Sequence, residues 1–304
     1  MEPADRRREY VGRINRAIDY VHGHLSGDLR LETVAGVAHF SAYHFHRVFK
    51  SLAGETLSDF VRRVRIQKAA SCLLHNPGMT ITEISSLCGY SSPSAFAREF
   101  RSAFDMSASQ FRNLRSSGGS APSGFEKSGD ERPPDGLSPR PRNRTEMVFS
   151  VDVQERPPFH VAYVRHVGPF SGIGGAFERL FRWAGPRGLA GTVEPGTIAI
   201  YHDDPDVTPA GKLRCDACIA VPEGTKVDGE IGSMHVPGGR FAVAHVEIDV
   251  SQYAEAWDRL LVDWMPQSGY QPDDRLCYEV YLNDPARHPK GIHHVDICEP
   301  IRPL

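Results

Sequence analysis

LETVAGVAHFSAYHFHRVFKSLAG (residues 31–54) and ITEISSLCGYSSPSAFAREFRSAFD (residues 81–105) are two copies of one pattern. At an offset of 50, Leu31, Val34, Val37 and Phe40 match Ile81, Ile84, Leu87 and Tyr90. After one inserted residue, Ser41, Phe45, Arg47, Phe49 and Phe60 match Ser92, Phe96, Arg98, Phe100 and Phe111 at an offset of 51. Apolar residues three and four apart mark helices, so each copy reads as a helix, a short turn and a second helix. The second copy carries explicit start signals. Thr80 and Glu83 form a T-x-x-E capping box, and Ser92 before Pro93 is an N-cap followed by proline at the first helical position.

Outward from the two copies the chain stays helical. Ile14, Ala17, Ile18 and Val21 line one face of a preceding amphipathic helix. Between the copies, Leu57–Leu74 reads as one long helix stopped by Asn76-Pro77-Gly78. Leu57, Phe60, Val61 and Val64 lie on one side of it, and Ile66, Ala70 and Leu73 lie nearer the other. A helix apolar on two sides is packed on both, which makes it a connector between two small helical units. Its length, about 27–30 Å, is close to the ~34 Å between successive openings of one DNA major-groove face. Tandem helix-turn-helix units acting on double-stranded DNA are the reading this spacing suggests.

From Ser116 to Thr145 the pattern collapses, with sixteen of thirty residues Ser, Gly or Pro. So little apolar surface cannot offset the entropy of ordering, and the stretch reads as a flexible linker. The domain boundaries expected are therefore 1–115, 116–145 and 146–304. Charge divides the same way: the net charge of −3 is the sum of +5 on residues 1–115, +1 on 116–145 and −9 on 146–304. The basic portion suits a polyanionic partner and the acidic one does not. No apolar run approaches a membrane span, the N-terminus leads into no apolar signal region, and six scattered cysteines make no disulfide framework. A cytoplasmic protein with no membrane partner is expected.

A second repeat, at an offset of 80, follows the linker. Phe177, Leu180, Phe181 and Ala184 match Trp257, Leu260, Leu261 and Trp264. IAIYHDDP (198–205) matches YEVYLNDP (278–285), and Asp216 and Cys218 match Asp296 and Cys298. Each copy reads strand, helix, strand, strand. The fold class expected is thus an all-α tandem helix-turn-helix domain followed by an α+β domain of two β-α-β-β repeats around a shared groove.

Residues 10–115 resemble the AraC/XylS family of bacterial regulators. The resemblance rests on Gly89-Tyr90-Ser91-Ser92, Phe96-Ala97-Arg98-Glu99-Phe100 and Ala103-Phe104-Asp105-Met106-Ser107-Ala108. It implies seven helices, with one recognition helix per unit and both entering one face of the DNA. Counted from the N-caps, the exposed positions of those helices are Tyr43, His46 and Arg47, then Ser94, Ala97 and Arg98. They match the positions that contact bases or phosphates in the family. Either arginine could make a bidentate contact to guanine, while Ser94 and Ala97 suit thymine methyls or backbone.

Residues 147–304 resemble the GyrI-like effector-binding domain, in the domain order of Rob-like regulators. The carrying residues are His166-Val167-Gly168-Pro169-Phe170, Tyr201-His202-Asp203-Asp204-Pro205, Asp216-Ala217-Cys218, Pro237-Gly238-Gly239-Arg240, Trp264-Met265-Pro266-Gln267-Ser268-Gly269-Tyr270 and Glu279-Val280-Tyr281. The second repeat departs from the family at its helix entry, where Glu247, Ile248 and Asp249 replace the G-P-aromatic turn.

Glu279 is the residue that stands out. On strand 276–282, a period of two places Cys277, Glu279 and Tyr281 on one face, and the equivalent face of the first repeat is Thr197, Ala199 and Tyr201. A lone carboxylate among aromatics must be met by a cation or by hydrogen-bond donors. The resemblance implies that Glu279 contacts ligand, and Tyr281, Tyr201, Phe170 and Trp264 join it as candidate effector-binding residues. Trp183, Trp257 and Trp264 also sit at helical spacing, which fits core packing. Cys215 and Cys218, a lone C-x-x-C, would face opposite sides of a strand, and with His293-His294 they offer only a weak case for metal. No metal and no cofactor are expected. The function expected is a DNA-binding transcription regulator with an aromatic or cationic small-molecule effector, with RNA polymerase admitted as a further partner. The competing reading is a hydrolase of small electrophilic compounds using Glu279, Tyr201 and Tyr281. Catalytic residues are assigned to neither domain in the leading reading.

Overall fold

The computed structural model describes residues 3–116, 147–205 and 208–304, which gather into two compact units. Beyond Ser116, the expected linker lies outside the described residues.

The first unit is helical throughout: α1 Pro3–Gly23, α2 Leu31–Val37, α3 Ala42–Ala53, α4 Leu57–His75, α5 Ile81–Leu87, α6 Pro93–Phe104 and α7 Ala108–Ser116. The starts expected at Thr80 and Ser92 are capped, and two further starts are capped in the same way. Ser41, Thr56, Thr80 and Ser92 each accept a backbone N–H from three residues on. At Thr80 the box is reciprocal, with Glu83 Oε2 accepting the Thr80 N–H at 2.7 Å. The turn inside each copy passes through the left-handed region at equivalent residues, His39 (φ 53°) and Gly89 (φ 76°). A Cβ at Gly89 would collide with the Leu25 carbonyl, so glycine is required there.

Two cores flank α4. Leu57, Phe60, Val61 and Val64 join Ile14, Ala17, Val34, Phe45 and Phe49 in one, while Ile66, Ala70 and Leu73 join Ile84, Phe96, Phe100 and Phe111 in the other. The two-sided apolar pattern is therefore the connector between units. Arg63, also on α4, is 4 % exposed and bonds Glu55 at 2.6 Å and Gln67 at 3.0 Å.

The second unit comprises β1 Val148–Arg156, β2 Phe159–Val167, α8 Gly174–Ala184, β3 Thr197–Tyr201, β4 Arg214–Val221, β5 Gly232–Val236, β6 Gly239–Ile248, α9 Tyr253–Asp258, β7 Tyr270–Pro272, β8 Cys277–Tyr281 and β9 His293–Pro303. The strand order is β1-β6-β9-β8-β3-β4-β2-β5, with β7 added beside β9. Its inner six strands are the two repeats, β2-α8-β3-β4 and β6-α9-β8-β9, laid out as mirror-ordered halves. The halves join where β3 pairs antiparallel with β8, and there Ala199 stands directly opposite Glu279. A local two-fold axis thus passes between these two residues, which are each other's equivalents at offset 80.

One face of the sheet carries the helices. Ala256 and Leu260 pack on Ala242, Ala244 and Ile297. The other face is a second apolar layer built on Ile198, Ile200, Tyr278 and Val280, with Cys218 and Cys298 at equivalent positions. The two halves also repeat a buried acid. Asp216 is 0 % exposed and receives Arg165 Nε at 2.8 Å and Nη2 at 2.7 Å, with His202 Nε2 at 2.7 Å. Burial pushes the Asp216 carboxyl up, but Arg165 and His202 outweigh it and hold it well below the usual carboxylate range. In the other half, Asp296 meets His245 Nδ1 at 2.6 Å and Arg156 Nη2 at 3.0 Å. No disulfide forms among the described residues, and Cys215 and Cys218 lie buried on opposite faces of β4. Among the described residues no group of three or more His, Cys, Asp or Glu is placed to hold a metal ion.

Candidate DNA-reading and ligand-binding sites

In α3 the buried side of the helix is Phe45 and Phe49, and in α6 it is Phe96, Phe100 and Phe104. The opposite side is what each helix presents. Tyr43, 75 % exposed, leads it, followed by His46 and Arg47, and in α6 by Ser94, Ala97 and Arg98, all exposed. Arg47 lies over the Tyr43 ring, 5.9 Å from its centroid, with Nη1 3.5 Å from the phenol oxygen. The ring pre-orients the guanidinium at an exposed position.

In the second unit, the face shared by β3 and β8 collects Glu279, Tyr201 and Tyr281 beneath the two helices. Glu279 is 1 % exposed. Its Oε2 accepts the Tyr201 hydroxyl at 2.7 Å and the Tyr281 hydroxyl at 3.0 Å, and its Oε1 accepts the Trp257 indole N–H at 2.8 Å. All three donors are neutral. Burial pushes the Glu279 carboxyl up, against the downward pull of these three bonds. The phenols of Tyr201 and Tyr281 are in turn raised well above their ordinary value by burial and by the neighbouring carboxylate.

Aromatic rings wall the acid in, and the two-fold relates them. Tyr201 meets Trp257 edge-on at 6.1 Å, and Tyr281 meets Phe177 edge-on at 5.7 Å. Phe170 stands 4.9 Å from Tyr201. It is brought there by the Gly168-Pro169 turn, in which Gly168 (φ 132°) donates to Leu213 O and His166 bonds Pro169 O. The second repeat has another entry in place of that turn. Asp249 accepts from Ser251, and its own N–H donates to Gln252 at the start of α9.

Four of the five expected ligand residues therefore converge. The fifth is placed elsewhere: Trp264 ends the π-helical turn Arg259–Trp264 and lines a shallow cavity of about 340 Å³ with Phe149, Arg259, Asp263, Gln267 and Ser268. Trp257, one helical repeat earlier and expected only to pack the core, takes the place at the carboxylate. The sequence held the signal, since Trp257 is the equivalent of Phe177, but pairing it with Glu279 required the two-fold.

The pattern of the family described as "GyrI-like small molecule binding domain" matches residues 149–302. The chain belongs to the GyrI-like family. The GyrI-like domain is preceded by a match to a family described as "Helix-turn-helix domain" over residues 34–114. Among curated relatives, DNA gyrase inhibitor 2 of Dickeya dadantii (strain 3937) is 34 % identical over 161 residues, covering 52 % of this chain and 97 % of that protein. The DNA gyrase inhibitor of Escherichia coli (strain K12) is 31 % identical over 142 residues, 45 % of this chain and 88 % of the relative. A solved structure of an EcmrR–DNA complex is similar at 18 % identity and a TM-score of 0.46, over 51 % of this chain and 58 % of that one.

An AraC-type helix-turn-helix domain joined to a GyrI-like small-molecule-binding domain is the layout of a DNA-binding regulator with an effector domain, and such is this protein. The hydrolase reading finds no support, because the matched families are a ligand-binding and a DNA-binding domain. No helix among the described residues is long and apolar enough to cross a membrane.

Proposed function

We propose that the GyrI-like domain senses an aromatic cation, with Glu279 as the counter-charge, and that ligand binding changes what α3 and α6 do on DNA. The observation that carries this reading is the carboxylate itself. Glu279 is buried to 1 % exposure, its direct hydrogen-bond partners are all neutral, and its repeat mate is Ala199. The sheet does not need the acid, and burying it uncompensated is costly. A ligand bringing a positive charge between Tyr201, Tyr281 and Phe170 would supply the missing compensation and stack on the rings. On the DNA side the proposal assigns base or phosphate contact to Tyr43, His46, Arg47, Ser94, Ala97 and Arg98. In this reading the protein catalyses no reaction, acts in the cytoplasm, and meets RNA polymerase at the promoters it occupies.

Calorimetric titration of the full chain with benzyltrimethylammonium and with its neutral isostere, neopentylbenzene, tests the ligand class. The wild type should prefer the cation, and Glu279→Gln should weaken the cation by about 1–3 kcal/mol while leaving the neutral compound nearly unchanged. Equal losses for both probes would refute the proposal.

A further inference from the structure

We infer that Trp257 is a built-in competitor for the effector: its indole N–H occupies the place on Glu279 that a cationic ligand has to take, and so sets the affinity threshold of the site. The inference rests on the proposed role of Glu279 and adds to it a residue that opposes binding.

Three observations lead there. First, the carboxylate is closed off. With Glu279 1 % exposed and bonded by Tyr201, Tyr281 and Trp257, no ligand reaches it unless one of those donors moves. Second, the three donors are not equally anchored. Tyr201 and Tyr281 rise from β3 and β8, paired with each other and with β4 and β9 at the centre of the sheet. Trp257 comes from α9, six residues long and running directly into a π-helical turn. Tyr201 and Tyr281 also share Oε2, whereas among the described residues Trp257 alone holds Oε1. Releasing the indole therefore frees one whole oxygen while the other keeps two donors.

Third, the internal repeat separates what the fold needs from what the site adds. The equivalent of Trp257 is Phe177, whose ring packs edge-on against Tyr281 just as Trp257 packs against Tyr201. An aromatic ring at this place is thus a requirement of the architecture, and an N–H is not. The N–H appears only in the half that also carries the carboxylate, where the other half has Phe177 and Ala199. The two departures from the repeat meet in one hydrogen bond at 2.8 Å. In the ligand-free protein that bond holds a buried charge that would otherwise lack a partner on Oε1. It also makes an incoming cation displace a donor before it gains one.

Phenylalanine in place of Trp257 keeps the ring and removes only the competing N–H. Trp257→Phe in the full chain should bind benzyltrimethylammonium on the order of 10-fold more tightly than wild type, the equivalent of one charge-assisted hydrogen bond no longer opposing the ligand. Neopentylbenzene, which draws nothing from the charge, should change little. The variant should also melt at a lower temperature, because Glu279 loses a donor. A purely structural tryptophan would give that fall without the gain in cation preference. If the wild type prefers the cation but the variant binds it equally or more weakly, Trp257 is a stacking wall rather than a competitor, and this inference fails alone. Should neither protein prefer the cation, the reading of Glu279 fails and takes the inference with it. Wild-type fluorescence gives a second readout that needs no variant. Displacement of the partly buried Trp257 indole from a carboxylate should shift tryptophan emission on saturation with benzyltrimethylammonium, and unchanged emission would overturn the inference.

Discussion

Replacing Glu279 by glutamine in the ligand-free protein should raise the stability of the GyrI-like domain at neutral pH, and the gain should disappear in acid. The carboxylate receives bonds of 2.7, 2.8 and 3.0 Å, each worth about 1.5–3 kcal/mol because the acceptor is charged. Against them stands a desolvation penalty of several kcal/mol for an ion at 1 % exposure. Burial wins, since the carboxyl is pushed up despite all three donors. The amide of glutamine keeps a hydrogen bond to each of the three side chains, at the cost of the phenol hydrogens of Tyr201 and Tyr281 losing the carboxylate as acceptor. Its oxygen accepts the indole N–H, and its nitrogen donates to phenol oxygens whose own hydrogens can rotate away.

The folded carboxyl has a higher pKa than the unfolded one, so the folded state holds the proton more tightly. Its favourable contribution is complete below the unfolded pKa and is lost as pH rises through the folded pKa. Relative to glutamine, wild type is therefore weakest above that range. The difference should shrink on acidification by at most about 1.4 kcal/mol per pH unit inside the window. A gain on the order of 1 kcal/mol at pH 7.5 corresponds to roughly 2–4 °C in Tm for a domain of this size. All three tryptophans, Trp183, Trp257 and Trp264, lie in this domain, so tryptophan fluorescence follows its melting within the full chain. A loss above about 2 kcal/mol at neutral pH, or a difference independent of pH, would show that the three donors outweigh desolvation and would refute the reasoning.

Other expectations concern both domains. Arg47→Ala and Arg98→Ala should each cost about 1–3 kcal/mol on a selected duplex where the arginine reads a base, measured by titration against specific and random DNA; wild-type affinity of both variants for both duplexes would remove α3 and α6 from the interface. Thr80→Ala breaks a reciprocal capping box and should destabilise the helical unit by about 1 kcal/mol, seen as an earlier loss of helical circular dichroism in urea. Asp216→Ala strands Arg165 in the interior and should cost about 3–5 kcal/mol. Because the Asp216 carboxyl is held below its unfolded value, that stabilisation is present above the unfolded pKa, and the gap between variant and wild type should close as pH falls toward the folded one. A gap that stays constant into strong acid would show that Asp216 acts by packing and not by charge.

Much of this protein is determined by local pattern. Caps at Ser41, Thr80 and Ser92 are recognised by a few neighbouring residues, and the two-sided α4 follows from a 3.6-residue period acting on Leu57–Leu73. The repeats at offsets of 50–51 and 80 fix the domain types and even the pairing of Ala199 with Glu279 as equivalents. That Glu279 shares a face with Tyr281, and Tyr201 holds the equivalent place in the other repeat, follows from strand alternation, whereas Phe170 entered only through the resemblance to the GyrI-like domain.

What the sequence could not settle is which helix residue would reach the acid. Trp257 and Trp264 have the same chemistry and the same helical spacing, and only the crossing of α9 over the sheet about a two-fold axis selects Trp257 and leaves Trp264 lining the cavity beside Phe149. The same holds for the buried acids. Asp216 and Asp296 are visible as a matched pair in the sequence, but their partners Arg165, His202, Arg156 and His245 come from strands and loops up to 140 residues away. Capping and amphipathicity are set by neighbours along the chain. The partner of a buried charge is set by how sheets pair and helices cross, and that information exists only once the chain has folded.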